Sequence, residues 1–151
     1  IIGARTKELV IFKNELGKVS DQMFVTTDDG SLGEKGFVSN VLKRLIDSGV
    51  VINLTYAVGP GIMMKVISDL TKTYNIKTIV SLNTVLVDGT GMCGSCRIDV
   101  GGKTKFACVD GPEFDGHLVD FTLLMNRLSM YQPEEKLAFE KFKCEREGCK
   151  C

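Results

Sequence analysis

The stretch VVINLTYAVGPGIMMKVISDLTKTYNIKTIVSL, residues 50–82, decides the fold class of this chain. Its first part, 50–58, is apolar and rich in β-branched residues, which predicts a buried strand, and the turn residues at 59–61 interrupt it. Apolar residues then recur at helical spacing over 62–70, and 77–82 again has the composition of a strand. Strand, helix and strand in this order form a βαβ unit whose strands are parallel and whose crossover is right-handed.

The same alternation continues towards the N-terminus. Residues 1–5 predict a strand, Thr6 is a candidate cap for a helix that ends near Gly17, and 22–27 predict a further short strand. Apolar pairs repeat every four residues over 35–49, which predicts an amphipathic helix. The order β-α-β-α-β-α-β predicts an α/β fold with a parallel sheet.

The character of the sequence changes after residue 83. Three short strands are predicted there, at 85–87, 97–100 and 103–107. Gly101-Gly102 is a typical two-residue hairpin turn, and helices resume at Asp120 and, with more charge, at Pro133. The chain is predicted to divide into three parts, a parallel-sheet part at 1–84, a small β-rich domain at 85–118 and a C-terminal helical segment at 119–151.

Composition and charge narrow the functional classes. With 151 residues, of which 44% are hydrophobic, the chain is long enough to bury a core without disulfides. Its 19 basic and 19 acidic residues cancel, and the absence of a basic, aromatic-containing stripe argues against nucleic acid as a partner. No apolar run approaches bilayer length and no signal peptide is recognisable, so we expect no membrane association and a cytoplasmic location. Because the sequence begins without Met inside a predicted strand, we also expect a fragment of a larger polypeptide.

Six cysteines occur in two clumps, at positions 93, 96 and 108 and at positions 144, 149 and 151. In a reducing compartment such clumps favour metal binding over disulfides. The segment DGTGMCGSCRIDVGGKTKFAC places Asp88, Cys93, Cys96 and Cys108 with four, two and eleven residues between successive members. The first two gaps match the Cys-x4-Cys-x2-Cys run of plant-type [2Fe–2S] proteins, with aspartate in the first position.

Glycines support an iron–sulfur site in this segment. A loop folded round two iron atoms turns its backbone amides towards the sulfides, and Gly89, Gly91 and Gly94 allow that close approach. A cluster needs four protein ligands, and Asp88 stands where the spacing asks for the remaining one. A carboxylate has the same formal charge as a thiolate but is a harder donor. The predicted ligands are therefore Asp88, Cys93, Cys96 and Cys108.

Other interpretations of these residues stay open at this point. Cys93 and Cys96 form a common zinc half-site, although the matching second half would consist of Cys108 alone. Asp88 precedes a glycine, and Asp-Gly is a very common turn pair. The three tail cysteines either chelate metal or belong to a flexible terminus with exposed thiols.

The carboxyl ends of the predicted parallel strands carry a second set of candidate residues. Ligands of such sheets bind beyond these ends, and a helix N-terminus there favours phosphate. Each of these candidates also suits an ordinary turn or helix start. Their common location at the ends of the strands favours a nucleotide-binding role. Arg5 stands where a basic residue would tolerate a ribose 2′-phosphate, although a solvated surface arginine is an equally good interpretation. The candidates are Arg5, Thr27, Asp28, Gly30, Ser31, Gly59 and Pro60.

The motifs together resemble a known family. The runs VDGTGMCGSCRIDVGG and FACVDGPEFDGHLVDF, with TTDDGSLGEKGFV and YAVGPGIMM upstream, are similar to the small, flavin-carrying subunit of NADH-dependent ferredoxin:NADP oxidoreductase. The family includes sulfide dehydrogenase subunits, hydrogenase gamma subunits and the electron-transfer subunit of dihydroorotate dehydrogenase B. The resemblance covers nearly all of residues 1–133. In it, the aspartate at position 88 matches the ferredoxin:NADP oxidoreductase branch, whereas the dihydroorotate dehydrogenase branch has cysteine.

The resemblance implies a ferredoxin-reductase-like subunit with an FAD-binding barrel, a nucleotide-binding domain and then the cluster. The barrel and the first strand with its glycine-rich loop are absent from this sequence, so we expect no complete flavin site and no activity of the fragment alone. In the family, Gly59 and Pro60 would lie near the nicotinamide, and residues 27–31 near the adenosine. The implied partners are a larger catalytic subunit and, as a candidate, ferredoxin. NADH and NADPH are not distinguished.

Two functional hypotheses follow. The first is an electron-transfer subunit, in which a nicotinamide nucleotide exchanges electrons with FAD and the cluster passes them to a partner subunit. The second is a non-catalytic electron carrier or metal-binding module that does not bind nucleotide. The colour of the purified protein separates a cluster from zinc, and nucleotide titration separates the two hypotheses.

Overall fold

The computed structural model describes residues 1–146, with the exception of the Glu145 side chain. Its strands are β1 Ile2–Ala4, β2 Val25–Thr27, β3 Glu34–Lys35, β4 Leu54–Val58, β5 Lys77–Ser81, β6 Arg97–Val100, β7 Lys103–Phe106 and β8 Glu113–Asp115. Its helices are α1 Lys13–Val19, α2 Val38–Asp47, α3 Gly61–Thr73, α4 Ala107–Asp110, α5 Phe121–Leu128 and α6 Gln132–Arg146, with a 3-10 turn at Lys7–Leu9. The predicted α/β class is confirmed.

The parallel strands form two small sheets. In the first, β2 lies between β1 and β3, and both pairings are parallel. In the second, β4 and β5 are parallel over five residue pairs, and β8 joins β5 in the antiparallel sense. Parallel pairing was predicted, but a single continuous sheet is not what forms, because β1 and β4 each have a strand neighbour on one side only. A cleft of about 350 Å³ separates them.

Helix α3 and strand β5 contribute fully buried side chains to the hydrophobic core. Met64 is fully buried on α3, and Val80 is fully buried on β5. Ile98 from β6 and Leu124 from α5 join the same cluster, with exposed fractions of 2% and 1%. Each such side chain contributes about 1.5–3 kcal/mol when it is removed from water. Residues from all three predicted parts of the chain therefore share one core.

The predicted helix between Thr6 and Gly17 is wrong. The chain forms the 3-10 turn first and then α1, which extends past Gly17 to Val19. Between them Phe12 adopts a left-handed conformation with φ of 54°, and the Thr6 side chain makes no capping hydrogen bond. The apolar residues of this segment do not pack inward, since Phe12 is 65% exposed. Periodicity without burial is a weak determinant of a helix.

Several predicted strand boundaries also change. Residues 85–87 form no strand and instead enter the glycine-rich loop. Residues 50–53 lie outside β4, whose pairing with β5 begins at Leu54. Strand β2 begins at Val25, and α2 begins at Val38. The two-residue β3 was not predicted. Such a strand is too short to show a sequence period.

The glycine hairpin is confirmed. Strands β6 and β7 pair in the antiparallel sense from Arg97 with Phe106 to Val100 with Lys103. Gly101 and Gly102 have φ values of 61° and 76°, as a two-residue turn of this twist requires. The predicted helices are found, one beginning at Phe121 with Asp120 as its cap and the other at Gln132, one residue before Pro133. Among the described helices none is both long and apolar enough to cross a membrane.

Candidate metal centre and nucleotide-binding edge

The glycine-rich loop between β5 and β6 positions the predicted metal ligands. Gly89, Gly91 and Gly94 all have positive φ, at 74°, 86° and 67°. At Gly91 there is a second constraint, because a Cβ atom would lie 2.8 Å from the Val109 side chain. A side chain at these positions would strain the backbone, so the glycines allow the loop to fold tightly back towards α4.

Cys96 and Cys108 form the first pair of donors. Their sulfur atoms lie 3.2 Å apart, and both are free thiols. The β6–β7 ladder brings them together, because Cys96 precedes β6 and Cys108 follows β7, where the Ala107 amide bonds the Cys96 carbonyl at 3.2 Å. Cys96 is 2% exposed. The contact between the Cys96 and Cys108 sulfur atoms is the main cause that raises the pKa of Cys108, and burial is the second cause.

Asp88 and Cys93 form the second pair. The Asp88 carboxylate accepts hydrogen bonds from the Thr90 amide at 2.8 Å and from the Cys93 amide at 3.0 Å, and the Thr90 amide is the main cause that lowers the pKa of Asp88. Cys93 is exposed, and hydrogen bonding from Ser95, whose amide lies 3.5 Å from the sulfur, lowers its pKa. A lowered pKa favours the thiolate, which is the form that binds metal.

An electrostatic interaction connects the two pairs. The charge of Asp88 acts on the Cys108 thiol and raises its pKa, whereas a hydrogen bond from the Gly91 backbone acts in the opposite direction. Asp88 also performs the turn role that Asp-Gly pairs often have, since it holds two amides of its own loop. Each carboxylate oxygen has a further lone pair, so these bonds leave acceptor capacity for a metal.

The donor set fits a two-iron cluster. Among the described residues no three His, Cys, Asp or Glu side chains converge on the position of a single ion. The donors form two pairs, and a [2Fe–2S] cluster offers two ligand positions on each iron. The Ser95 amide is directed at the Cys93 sulfur at 3.5 Å, and outer hydrogen bonds of this kind tune iron–sulfur sites. The ligand assignment itself stays a prediction.

Gly59 and Pro60 lie where β4 gives way to α3. Gly59 has a φ of 155°, and a Cβ atom there would lie 2.8 Å from the terminal carbon of Met63. Pro60 caps α3, and its carbonyl accepts the Met64 amide at 3.1 Å. Gly59, Pro60 and Met63 line the cleft between the two sheets together with Gly3. The first turn of α3 therefore opens on this cleft.

The candidates on the first sheet gather at one loop. Ser31 accepts a hydrogen bond from the Lys7 amide at 2.9 Å, which joins the loop after β2 to the segment that follows β1. The Asp28 amide donates to the Ala4 carbonyl at 3.1 Å, and Arg5 and Asp28 are exposed at this edge. Arg5, Asp28 and Ser31 are thus brought to the same edge of the sheet.

Thr27 and Gly30 shape this loop from within. Thr27 is fully buried, and its hydroxyl both donates to the Leu32 carbonyl at 2.9 Å and accepts the Leu32 amide at 3.0 Å. Gly30 has a φ of 80°, which favours glycine. The structure therefore gives Thr27 a role in holding the loop. Binding roles for this set stay predictions.

Sequence reasoning missed three side chains. Asp29 accepts the Ser31 amide and hydroxyl at 3.0 and 2.6 Å, which lowers the pKa of Asp29. His117 is half-buried, with Nε2 3.1 Å from the Thr71 hydroxyl. Arg127 reaches the Ser95 carbonyl from α5. An Asp-x-Ser pattern is a signal for the first, whereas the other two contacts join distant parts of the chain.

Only one of the tail cysteines lies among the described residues. Cys144 lies in α6, and Cys149 and Cys151 lie outside the described residues. The two interpretations of the tail therefore stay predictions.

The fold and the donor loop define an α/β protein with an iron–sulfur-type domain. Residues 83–120 match the model of the iron-sulfur cluster binding domain of dihydroorotate dehydrogenase B. A chain in the structure of NADH-dependent reduced ferredoxin-NADP oxidoreductase, a study of flavin-based electron bifurcation, superimposes with a TM-score of 0.81 and 45% identity over 93% of this chain and 51% of that one.

Curated relatives agree with this match. A dihydroorotate dehydrogenase B electron-transfer subunit homolog from Thermotoga maritima is 46% identical over 94% of this chain and 50% of its own length. An uncharacterized protein in adh 3'region from Clostridium beijerinckii is 53% identical over 89% of this chain and 46% of its own length. The chain is therefore a homologue of the dihydroorotate dehydrogenase B electron-transfer subunits, and the resemblance found in the sequence is confirmed. The chain spans about half the length of these relatives.

Proposed function

We propose that this chain is part of the electron-transfer subunit of a flavin- and iron–sulfur-dependent oxidoreductase. In this proposal electrons pass between a nicotinamide nucleotide and a partner subunit by way of FAD and a [2Fe–2S] cluster. The observation that carries the proposal is the contact of Cys96 with Cys108 and of Asp88 with the Cys93 amide, beside a loop whose glycines all have positive φ. The match of residues 83–120 to an iron–sulfur cluster binding domain supports it.

The protein's own residues would hold the cluster and tune it. A bound cluster supplies one-electron transfer, which side chains alone do not offer. The thiols of Cys93, Cys96 and Cys108 are soft donors suited to iron in the presence of sulfide, and Asp88 is a harder donor on the fourth position. The Gly91 and Ser95 amides would donate to sulfur, and burial of Cys96 would keep water from one side of the site.

A nicotinamide nucleotide would lie along the carboxyl ends of the parallel strands. Pro60 and the first turn of α3 would face its phosphates, since a helix N-terminus attracts anions. Gly59 would allow close approach near the nicotinamide, and the loop with Asp28 and Ser31 would contact the adenosine end. Arg5 at the same edge is compatible with a 2′-phosphate, so we propose both NADH and NADPH as candidates.

This proposal also includes a flavin and a partner subunit. The relatives are about twice as long as this chain, and we propose that the flavin is bound by the half that has no counterpart here. The proposed partner is a larger catalytic subunit, with ferredoxin as a candidate acceptor. A cytoplasmic location is part of the same proposal, and cell fractionation tests it.

Metal and sulfide analysis of the purified chain tests the cluster. We expect two irons and two labile sulfides per chain, a reddish-brown colour and, after reduction, an electron paramagnetic resonance signal. A colourless protein that contains zinc would overturn the proposal in favour of a zinc module.

Calorimetric titration with NADH and NADPH tests the nucleotide site. The cleft is open at β1 and β4, so we expect weak but measurable binding that Pro60→Glu abolishes, because a carboxylate at the start of α3 repels phosphate. Lys103→Glu in the β6–β7 hairpin is the control. Cluster content without any nucleotide binding would favour the non-catalytic electron carrier.

A further inference from the structure

A side chain of α5 reaches the loop of predicted metal ligands. Arg127 Nη2 donates a hydrogen bond to the Ser95 carbonyl oxygen at 2.8 Å, in a partly buried position. Ser95 lies between two predicted ligands, Cys93 and Cys96. We propose that Arg127 is a positioning residue of the metal centre, which holds the turn between these cysteines and supplies positive charge beside it. This inference rests on the proposed function, because it requires a cluster in the loop.

Ser95 is held from both ends. Its amide points at the Cys93 sulfur at 3.5 Å, while its carbonyl accepts the Arg127 hydrogen bond. Rotation of this short segment would therefore disturb both contacts at once. A residue fixed in this way keeps an amide directed at a ligand sulfur, and such outer hydrogen bonds tune iron–sulfur sites.

Helix α5 is a firm support for this side chain. The Asp120 carboxylate caps the helix by accepting the Leu123 amide at 2.9 Å. Phe121 and Leu124 are buried, with 6% and 1% exposed, and the helix contacts both α3 and β6. Arg127 thus projects from an element that is anchored in the common core. The hydrogen bond connects the loop to that core.

Among the side chains that the structure describes, no carboxylate makes a salt bridge with Arg127, whereas Lys105 on the β6–β7 hairpin pairs with Asp110 at 3.1 Å. A cluster becomes more negative when it accepts an electron, so a nearby cation stabilises the reduced form more than the oxidised form. Arg127 should therefore raise the midpoint potential.

A purely structural role is the competing explanation. A cation in the last turn of a helix also stabilises the free carbonyl groups there, without any effect on a metal. Three variants separate the roles. Arg127→Lys keeps the charge, Arg127→Gln keeps an N–H donor without charge, and Arg127→Met keeps neither.

The experiment is a redox titration of the full chain with its cluster, followed by electron paramagnetic resonance. We expect lower potentials in Arg127→Gln and Arg127→Met, and a potential near that of the wild type in Arg127→Lys. Cluster loss to an iron chelator should be about tenfold faster in Arg127→Met, as for other lost outer contacts of metal sites. The control is Arg44→Met, which removes an equal charge from α2, where Arg44 pairs with Glu34 at 2.6 Å.

Two results would overturn the inference. One is an unchanged potential in both uncharged variants, even if their melting temperatures fall, because that outcome is purely structural. The other is an equal shift in Arg44→Met, which would mean that net charge acts without regard to place. A wild-type chain that takes up no cluster would refute the proposed function itself, and this is seen before any variant is compared.

Discussion

The cluster loop and the nucleotide-binding edge are built in opposite ways. The loop at 88–96 brings its donors together through local turns and one adjacent hairpin, and its glycines have positive φ. The edge instead depends on two sheets whose facing strands, β1 and β4, are not paired with each other. The candidate metal donors are therefore brought together mainly by local structure, whereas the candidate nucleotide-binding residues depend on the arrangement of distant parts of the fold.

The largest effect is expected when a candidate thiol ligand is removed. Replacing Cys93, Cys96 or Cys108 with Ser should abolish the cluster or make it severely unstable, because an alcohol oxygen is a poor substitute for a soft thiolate. Iron and labile sulfide are measured per chain, and circular dichroism reports the fold. Wild-type iron and sulfide in all three variants would refute the ligand assignment. Cys96→Ser should also lower stability, since Cys96 is buried.

Variants of Asp88 test whether this residue is a cluster ligand or only a turn residue. Asp88→Cys should retain a [2Fe–2S] cluster with a changed potential and absorption, because spacing and formal charge are kept while donor softness changes. Asp88→Ala should give a labile cluster. Asp88→Asn is the matched control for the turn, since an amide oxygen still accepts the Thr90 or Cys93 amide. If all three variants match the wild type in potential and resonance spectrum, Asp88 is only a turn residue.

Gly59 probes the nucleotide-binding edge. Gly59→Ala should destabilise the fold by about 1–3 kcal/mol, because the backbone conformation disfavours a side chain and the new Cβ would press on Met63. Gly49→Ala is the control, since Gly49 also has a positive φ, of 84°, but nothing lies within 4 Å of the new atom. Urea unfolding measures both. The variant at Gly59 should also weaken nucleotide binding, and equal affinity would count against the site.

A smaller effect is expected on the pH dependence of stability, through Asp110 in α4 just after the β6–β7 hairpin. The Phe106 amide and then Lys105 lower the pKa of Asp110 below its ordinary value of 3.8. A depressed folded-state pKa contributes stability above the unfolded value, and that contribution is lost as pH falls through the folded-state pKa. The difference in melting temperature between the wild type and Asp110→Asn should therefore be present at pH 7 and shrink below about pH 4. A constant difference would mean that charge is not involved.

The smallest effect is expected in the tail. Replacing Cys144, Cys149 and Cys151 together with Ser should leave the cluster spectrum unchanged, because the loop at 88–96 and Cys108 in α4 already supply four candidate donors. This variant also controls for the general loss of thiols in the ligand variants. Loss of the cluster would instead mean that the tail contributes a ligand.

Local patterns determined much of this protein. The βαβ unit at 50–82, the Gly101-Gly102 hairpin and the spacing of the candidate ligands all follow from residues near one another in sequence. Hydrophobic period and turn chemistry act over a few residues, so one sequence is enough to predict them. The prediction of one helix from Thr6 to Gly17 failed because its period was local, whereas Leu9, Phe12 and Leu16 remain largely exposed in the fold.

The tertiary structure alone decided how distant residues meet. The division of the parallel strands into two sheets, the pairing of β8 with β5 and the contact of Arg127 with Ser95 carry no local signal. These contacts depend on the way α3 and α5 pack on the common core, and packing is a property of the whole set of side chains. Sequence spacing alone thus determined the candidate donors, and the packed core decided what surrounds and orients them.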